Sequence, residues 1–99
     1  IDINAIPDTY VIEQNYPNPF NPVTRIEYGL PMAGHVNISI FDVLGRQVTT
    51  IMDRYQEAGY RSVKWDGKNK AGNSVGAGMY FYIIQAGEFR QARKMVLLK

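Results

Sequence analysis

One short segment with three prolines constrains the fold of this chain more than any other feature. Residues 14–22 read Gln-Asn-Tyr-Pro-Asn-Pro-Phe-Asn-Pro. Each proline ring fixes φ at about −65° and removes a backbone donor, and each residue before a proline favours an extended conformation. A helix is therefore excluded, and the segment has little capacity for sheet pairing. We predict an extended strap at a sheet edge, with Tyr16 and Phe20 as its anchors; a proline-rich ligand motif is the alternative.

The length and composition indicate one domain without cross-links. The chain has 99 residues and no cysteine, which excludes disulfides, thiolate metal sites and a cysteine nucleophile. The net charge is +2, and the only basic cluster is Arg90, Arg93 and Lys94, so we expect no nucleic-acid partner. No apolar run approaches a membrane span and no signal peptide opens the chain. Because the first residue is Ile1, not methionine, we expect a piece of a longer protein.

Short β-forming runs alternate with Gly, Asn, Asp and Pro at the spacing of an all-β sandwich. Residues 23–30 and 35–41 alternate with a period of two, which predicts two half-buried strands. Their inward sets are Thr24, Ile26, Tyr28 and Leu30, then Val36, Ile38 and Ile40. The outward sets are Arg25 and Glu27, then His35, Asn37, Ser39 and Phe41.

Turn residues predict how the later strands are connected. Asp42 and Gly45 stand at the first and fourth positions of a type I turn, which predicts a hairpin with a return strand over residues 46–52. Residues 55–59 read as a loop, 60–65 as a strand, 79–85 as an apolar central strand and 86–88 as a tight turn.

The last segment, residues 89–99, contains good helix formers, so propensity alone would favour a helix. We predict a strand, because the tight turn at 86–88 favours a hairpin and the run from Met95 to Leu98 could be buried on both faces. The count is then about seven antiparallel strands, as in an immunoglobulin-like β-sandwich. We assign residues 1–12 to a linker that leads into the first strand and residues 13–99 to the domain.

The glycine-rich residues 66–78 match no ligand-binding template. The spacing of Gly67 and Gly72 resembles a phosphate loop, but Asn73 replaces the required lysine and a strand follows. As a calcium loop the segment lacks the necessary oxygen ligands. We predict a structural loop with a positive φ at one glycine near residue 78; a weak ion site using Asp66, Asn69 and Asn73 is the alternative.

The sequence contains no recognisable set of catalytic or cofactor-binding residues. His35 is the only histidine, and no serine and acid are spaced to form a triad with it, so we expect no enzyme, no metal site and no cofactor. Aromatic side chains could form a sugar-binding platform, with Trp65, Tyr80, Phe81 and Tyr82 as candidates. Tyr80 and Tyr82 share a strand face that Phe81 does not, and we favour core packing for them.

Several motifs in order from residue 13 onwards carry a resemblance to a known family. They are Gln14–Pro22 with Pro17, Asn18, Pro19 and Phe20, then Thr24–Ile26, Phe41–Arg46 with Asp42 and Gly45, the Trp65-Asp66-Gly67 triplet, Gly78–Tyr82, and Lys94-Met95-Val96-Leu97-Leu98-Lys99. Together they resemble the type A C-terminal sorting domain of the type IX secretion system. The strap and residues 65–80 are also similar to the related immunoglobulin-like module of flagellar hook-capping proteins, so the sorting interpretation depends on the tail.

The resemblance implies a non-catalytic sorting signal at the end of a larger exported bacterial protein. Its implied partners are an N-terminal passenger in the same chain, an outer-membrane translocon and a sortase-like peptidase that cleaves the domain. The passenger would pass through the periplasm to the cell surface or the medium. The residues it implies for translocon recognition are Gly78, Tyr80, Lys94, Met95, Val96, Leu97, Leu98 and Lys99.

Three roles remain open from the sequence. A sorting signal could be recognised through a sheet edge or terminal strand, because main-chain pairing tolerates different side chains. A carbohydrate-binding module would need exposed aromatic rings. A structural spacer or assembly module would use Gly78 and Tyr80 only for the core strand and the tail only to close the sheet. In each case we expect the isolated domain to be monomeric.

Overall fold

The computed structural model describes residues 5–98, and these form a sandwich of two antiparallel sheets. Its seven strands are β1 (Val11–Ile12), β2 (Thr24–Leu30), β3 (Gly34–Phe41), β4 (Gln47–Gln56), β5 (Gly59–Trp65), β6 (Gly78–Ala86) and β7 (Phe89–Leu97). The strand order is β1-β2-β5 in one sheet and β4-β3-β6-β7 in the other. The described residues contain no helix. The predicted fold class, an all-β sandwich of about seven antiparallel strands, is confirmed.

The core lies between the two sheets and follows the predicted alternation. Every inward residue predicted in β2 and β3 is buried, while Arg25 and Glu27 are exposed. The largest fully buried side chains include Trp65, Tyr28 and Tyr82. Antiparallel sandwich strands bury one face only, which explains why a period of two was a reliable signal here.

The C-terminal segment is a strand, as predicted against its helix propensity. β7 pairs with β6 from Ala86↔Phe89 to Gly78↔Leu97, and Gly87 in the connecting turn has a φ of 58°. Nine consecutive cross-strand pairs fix residues 89–97 in the sheet, so tertiary pairing overrides propensity.

Two local predictions were wrong. The loop assigned to residues 55–59 is reduced to residues 57–58, because Tyr55 pairs with His35 in β3 and Gly59 pairs with Leu30 in β2. The predicted burial of residues 95–98 on both faces of the sheet was also wrong, since Leu98 lies beyond β7 and is 50% exposed. β7 is an edge strand with one outward face, so only its alternate residues Met95 and Leu97 are fully buried.

The two long sides of the sandwich differ. On one side β1 lies near β7, since Arg93 Nε donates to the Ile12 carbonyl at 2.8 Å. The residues between β1 and β2 also reach β7, where Phe20 forms a bridge with Leu97. On the other side β4 and β5 face each other, and Lys70 donates its backbone N–H to the Val48 carbonyl of β4 at 3.1 Å. The strap therefore closes only the β1/β7 side.

Candidate functional site

The strap, residues 14–22, is fastened to the domain through one aromatic ring. Phe20 is buried, and its ring centroid lies 5.7 Å from that of Trp65, which in turn makes an edge contact with Tyr80 at 5.4 Å. The predicted second anchor was wrong: Tyr16 is 72% exposed. Its backbone pairs with Arg25 through two hydrogen bonds of 2.8 and 2.9 Å. The side chain of the preceding residue, Asn15, is turned inward, so that of Tyr16 faces solvent.

A buried polar network holds the start of the strap. The Tyr82 hydroxyl donates to the Glu13 carbonyl at 2.6 Å and accepts from the Asn15 N–H at 2.8 Å. The Asn15 side chain donates to the Thr24 hydroxyl at 2.9 Å, which donates to the Pro17 carbonyl at 2.9 Å. Burial raises the pKa of Tyr82 to about 12, so the hydroxyl stays protonated and can donate.

Sequence reasoning missed this network. Core packing was the favoured interpretation of Tyr82, and the asparagines of the strap were expected only to bond local turn backbone, as the Asn15 side chain does in donating to the Pro17 carbonyl at 3.2 Å. One signal was available, because Thr24 is a polar residue at an inward strand position and must find a hydrogen-bond partner there.

The strap also satisfies the outer edge of β7. Phe20 donates its N–H to the Val96 carbonyl at 3.0 Å and accepts from the Leu98 N–H at 2.8 Å. The Asn18 side chain accepts from the Val96 N–H at 3.0 Å, and the Gln14 side chain donates to the Lys94 carbonyl at 2.8 Å. The strap was expected to pair poorly, and side-chain amides from Asn18 and Gln14 supply part of what its prolines cannot.

The glycine-rich loop is a packed turn. Trp65 Nε1 donates to the Lys68 carbonyl at 2.9 Å, and the Tyr80 hydroxyl donates to the Gly76 carbonyl at 2.7 Å. Gly67 has a φ of 74°, and a Cβ there would lie 3.1 Å from the Pro22 carbonyl oxygen. Both conditions require glycine in the Trp65-Asp66-Gly67 motif.

Several oxygens of the alternative ion site accept hydrogen bonds within the loop itself. Asp66 accepts from the Lys68 N–H at 3.2 Å, and the Asn69 side chain accepts from the N–H groups of Ala71 and Asn73 at 3.1 and 3.0 Å. Across residues 5–98, no group of three or more His, Asp or Glu side chains is placed to hold a metal ion. The same residues include no helix that could cross a membrane.

The predicted hairpin turn is confirmed. Gly45 donates its N–H to the Asp42 carbonyl at 3.0 Å and has a φ of 81°. The Asp42 carboxylate accepts from the N–H groups of Leu44 and Arg46, and from Arg46 Nε at 2.9 Å. The Arg46 N–H is the main reason that the pKa of Asp42 is lowered. Asp42 and Gly45 thus form the turn, which leaves Leu44 73% exposed at its tip.

The residues proposed for recognition divide between the two faces of the sheet. Lys94, Val96 and Leu98 point outward, while Met95 and Leu97 fill the core. Tyr80 is buried; Gly78, at the start of β6, is exposed. Gly78 has a φ of 145°, which confirms the predicted positive φ near residue 78. Lys99 lies outside the described residues.

The structure gathers most of these motifs at one end of the sandwich. Phe20, Trp65 and Tyr80 meet there, and the turn at residues 42–45 lies at the same end because Phe41 pairs with Phe81. His35 lies towards the opposite end and bonds Asp53 at 2.6 Å. The aromatic platform is not formed, since Trp65, Tyr80 and Tyr82 are buried; core packing, the favoured interpretation, is what the structure has.

Solved structures share this arrangement of strands. The chain is similar to part of latent PorU from Porphyromonas gingivalis, with a TM-score of 0.69 and 21% identity over 91% of this chain and 9% of that one. It is similar to part of PorZ, a surface component of the type-IX secretion system of the same organism, with a TM-score of 0.59 and 20% identity over 93% of this chain and 12% of that one. FlgD from P. aeruginosa matches with a TM-score of 0.60 and 21% identity over 88% of this chain and 70% of that one.

These likenesses define the class, an immunoglobulin-like β-sandwich. A family match goes further: the FlgD Ig-like domain profile matches residues 23–88, which is two thirds of the chain. The chain therefore belongs to the FlgD Ig-like domain family. No curated protein matches it. The chain spans about a tenth of the length of PorU and PorZ.

Proposed function

We propose that this domain is a non-catalytic sorting signal that directs an exported bacterial protein across the outer membrane by the type IX secretion system. The proposal assigns it an N-terminal passenger in the same chain, an outer-membrane translocon and a sortase-like peptidase as partners. The protein would occupy the periplasm in transit and then the cell surface or the medium.

One observation carries the proposal. The strap and β7 both lie outside residues 23–88, the part that matches the FlgD Ig-like family, and they pack against each other. Phe20 bonds the backbone of Val96 and Leu98, and Asn18 bonds Val96. The strap and the tail are also two of the motifs that resemble sorting domains. They form one structural unit, and the tail side chains Lys94 and Leu98 remain on its surface.

The likeness to parts of PorU and PorZ agrees with this role, since PorZ is described as a component of that secretion system. An assembly or spacer module is the second candidate, because the family match is to an FlgD domain. A carbohydrate-binding role loses support from the burial of Trp65, Tyr80 and Tyr82.

A reporter experiment tests the sorting role. Residues 1–99 are fused behind a periplasmically exported reporter in a type IX-competent bacterium and in a translocon-deficient strain. We expect surface or extracellular reporter only in the competent strain, and loss of it when residues 95–99 are removed or Lys94 is replaced by alanine. Lys64→Ala, on the other sheet, is the matched control. Stable reporter held in the periplasm of both strains would refute the role and favour a spacer.

A further inference from the structure

Part of the outward face of the four-stranded sheet is apolar, whereas the outward face of an exposed sheet is normally polar. The pairing register places Phe41 beside Phe81 and then Lys94, and Met79 beside Val96, all on this face. Ile83 lies one row further, beside Ser39 and Ala92. We call this surface the β6 face, defined by Phe41, Met79, Phe81, Ile83, Lys94 and Val96.

The outward face of the other sheet provides an internal comparison. There Arg25 pairs with Lys64 and Glu27 pairs with Ser62, and all four side chains are exposed. These charged and polar pairs contrast with the apolar rows that contain Phe41, Phe81 and Met79 on the four-stranded sheet. Apolar surface rimmed by polar groups marks an interaction site.

The C-terminal part of the β7 edge, from Lys94 to Leu98, is a poor site for main-chain recognition in this structure. The Lys94 carbonyl, the Val96 N–H and carbonyl and the Leu98 N–H are all bonded to the strap. A partner strand could pair with this stretch only after the strap had left. The adjoining face needs no such displacement, and it includes Lys94 and Val96 of the tail.

Charge identifies the partner. Among the described residues, Arg46 forms an ion pair with Asp42, and the His35 ring is hydrogen-bonded to Asp53 at 2.6 Å. The acids at the border of the β6 face are therefore already paired, whereas Lys94 has no carboxylate within ion-pair distance among those residues. The partner that complements this surface is apolar and carries a carboxylate opposite Lys94.

Two other occupants fit less well. A second copy packed through the same face would add a second Lys94 to the contact, and none of the residues that define the β6 face is an acid that could offset it. An anionic membrane surface attracts clusters of about four to eight basic residues, and this face offers only Lys94 and Arg90.

We propose that the β6 face docks flat against a protein partner whose complementary surface is apolar and places a carboxylate next to Lys94. The proposal rests on the sorting role, because the partner is the one that the translocon must supply. It also changes the mode of recognition, from pairing along the edge of β7 to packing of side chains on the outer face of β6 and β7.

Charge and size substitutions test the docking surface in the full reporter fusion. Lys94→Glu and Met79→Glu change exposed positions on the β6 face; Lys64→Glu and Tyr60→Glu make the same changes on exposed positions of β5. Thermal unfolding establishes that all four variants fold. We expect about a tenfold or greater loss of surface reporter for the first two and no loss for the β5 pair. Export of the Lys94→Glu and Met79→Glu fusions at the unaltered level would overturn the docking proposal and the assignment of Lys94 to recognition, while translocon-dependent export of the intact domain would still support the sorting role.

A second measurement separates the docking surface from the sorting role. A photoreactive phenylalanine analogue replaces Phe81, or Ser62 as control, and adducts formed in intact cells are identified by mass spectrometry. We expect an envelope protein to be captured at position 81 only, with capture lost in Lys94→Glu and restored when one partner carboxylate is changed to lysine. If the envelope protein is captured at position 81 in this way but the reporter is not exported, the sorting role is refuted and the docking proposal stands. Capture of only a second copy of this chain, of lipid, or of nothing would overturn the docking proposal.

Discussion

At the scale of single residues, the Tyr82 hydroxyl is one of the groups that join the start of the strap to the core. It bonds both the Glu13 carbonyl and the Asn15 N–H. Tyr82→Phe would keep the ring and leave these two backbone groups without their partner. We expect the free energy of unfolding to fall by about 1–3 kcal/mol, measured by urea denaturation. Tyr80→Phe, which removes a single bond to Gly76, is the matched control. An equal, small loss in both variants would contradict a special role for Tyr82.

The raised pKa of the Tyr82 hydroxyl predicts how the free energy of unfolding depends on pH in the alkaline range. Burial raises the pKa of Tyr82 from 10.0 to about 12. Between these values the unfolded chain has released the phenolic proton and the folded chain still holds it. The free energy of unfolding therefore falls as pH rises through this window. Urea midpoints at about pH 9 and about pH 11 measure the slope. Tyr82→Phe should flatten it only in part, because burial also raises the pKa values of Tyr28 and Tyr80.

Individual residues were predictable from sequence where one physical rule dominated. Gly45 followed from the turn pattern, and the inward set of β2 followed from alternation. Tyr16 was not predictable, because its exposure is fixed by the pairing of its backbone with Arg25. The partners of Tyr82 are 67 and 69 positions away along the chain, and no local pattern in the sequence can identify such contacts.

At the scale of elements, the strap and β7 behave as one unit, and a single side chain tests this. Asn18→Ala removes the acceptor of the Val96 N–H. We expect the protection of that amide against hydrogen exchange to fall about three- to tenfold, which corresponds to the loss of one modest hydrogen bond. The Leu98 amide, bonded to the Phe20 carbonyl, should change much less. Asn21→Ala, an exposed asparagine in the same strap, is the control. Unchanged exchange at Val96 would show that the strap does not cover this edge.

Elements were predicted well in type and less well in length. β7 was assigned correctly because the turn before it favours a hairpin, although residues 89–99 favour a helix. The loop at residues 55–59 was too long, because β4 continues to Gln56 and β5 starts at Gly59. No local sequence signal at Tyr55 or Tyr60 marks these strand ends. The ends depend on the lengths of β3 and β2, the strands with which β4 and β5 pair.

At the scale of the whole molecule, the chain consists of a family core and a closure added to it. The FlgD Ig-like match covers residues 23–88, which contain β2 to β6. β1, the strap and β7 lie outside that range and close one side of the sandwich together. The motifs recognised in the sequence fall in both parts, the family core and the closure. Their contact could not be predicted from sequence, since the strap and tail are some 80 positions apart.

Truncation tests whether that closure stabilises the domain. A chain of residues 23–99 would lose Phe20 from its contact with Trp65 and expose the edge of β7 at Val96. Removing a buried Phe side chain alone costs about 3–5 kcal/mol, which is a large share of the about 5–15 kcal/mol that stabilises a typical domain. An uncovered edge strand also pairs readily with other chains. We therefore expect residues 23–99 to unfold at much lower temperature and to self-associate, as measured by calorimetry and light scattering.

A chain of residues 10–99 is the control for this truncation. It keeps the strap and Tyr10, whose ring stacks on Phe89 at 5.0 Å, and it should remain a cooperatively unfolding monomer. If residues 23–99 matched it in midpoint and mass, the strap would be an accessory that the sandwich does not need. The stability of the domain would then depend on β2 to β7 alone, and the pairing of strap and tail would have to be explained by recognition rather than by stability.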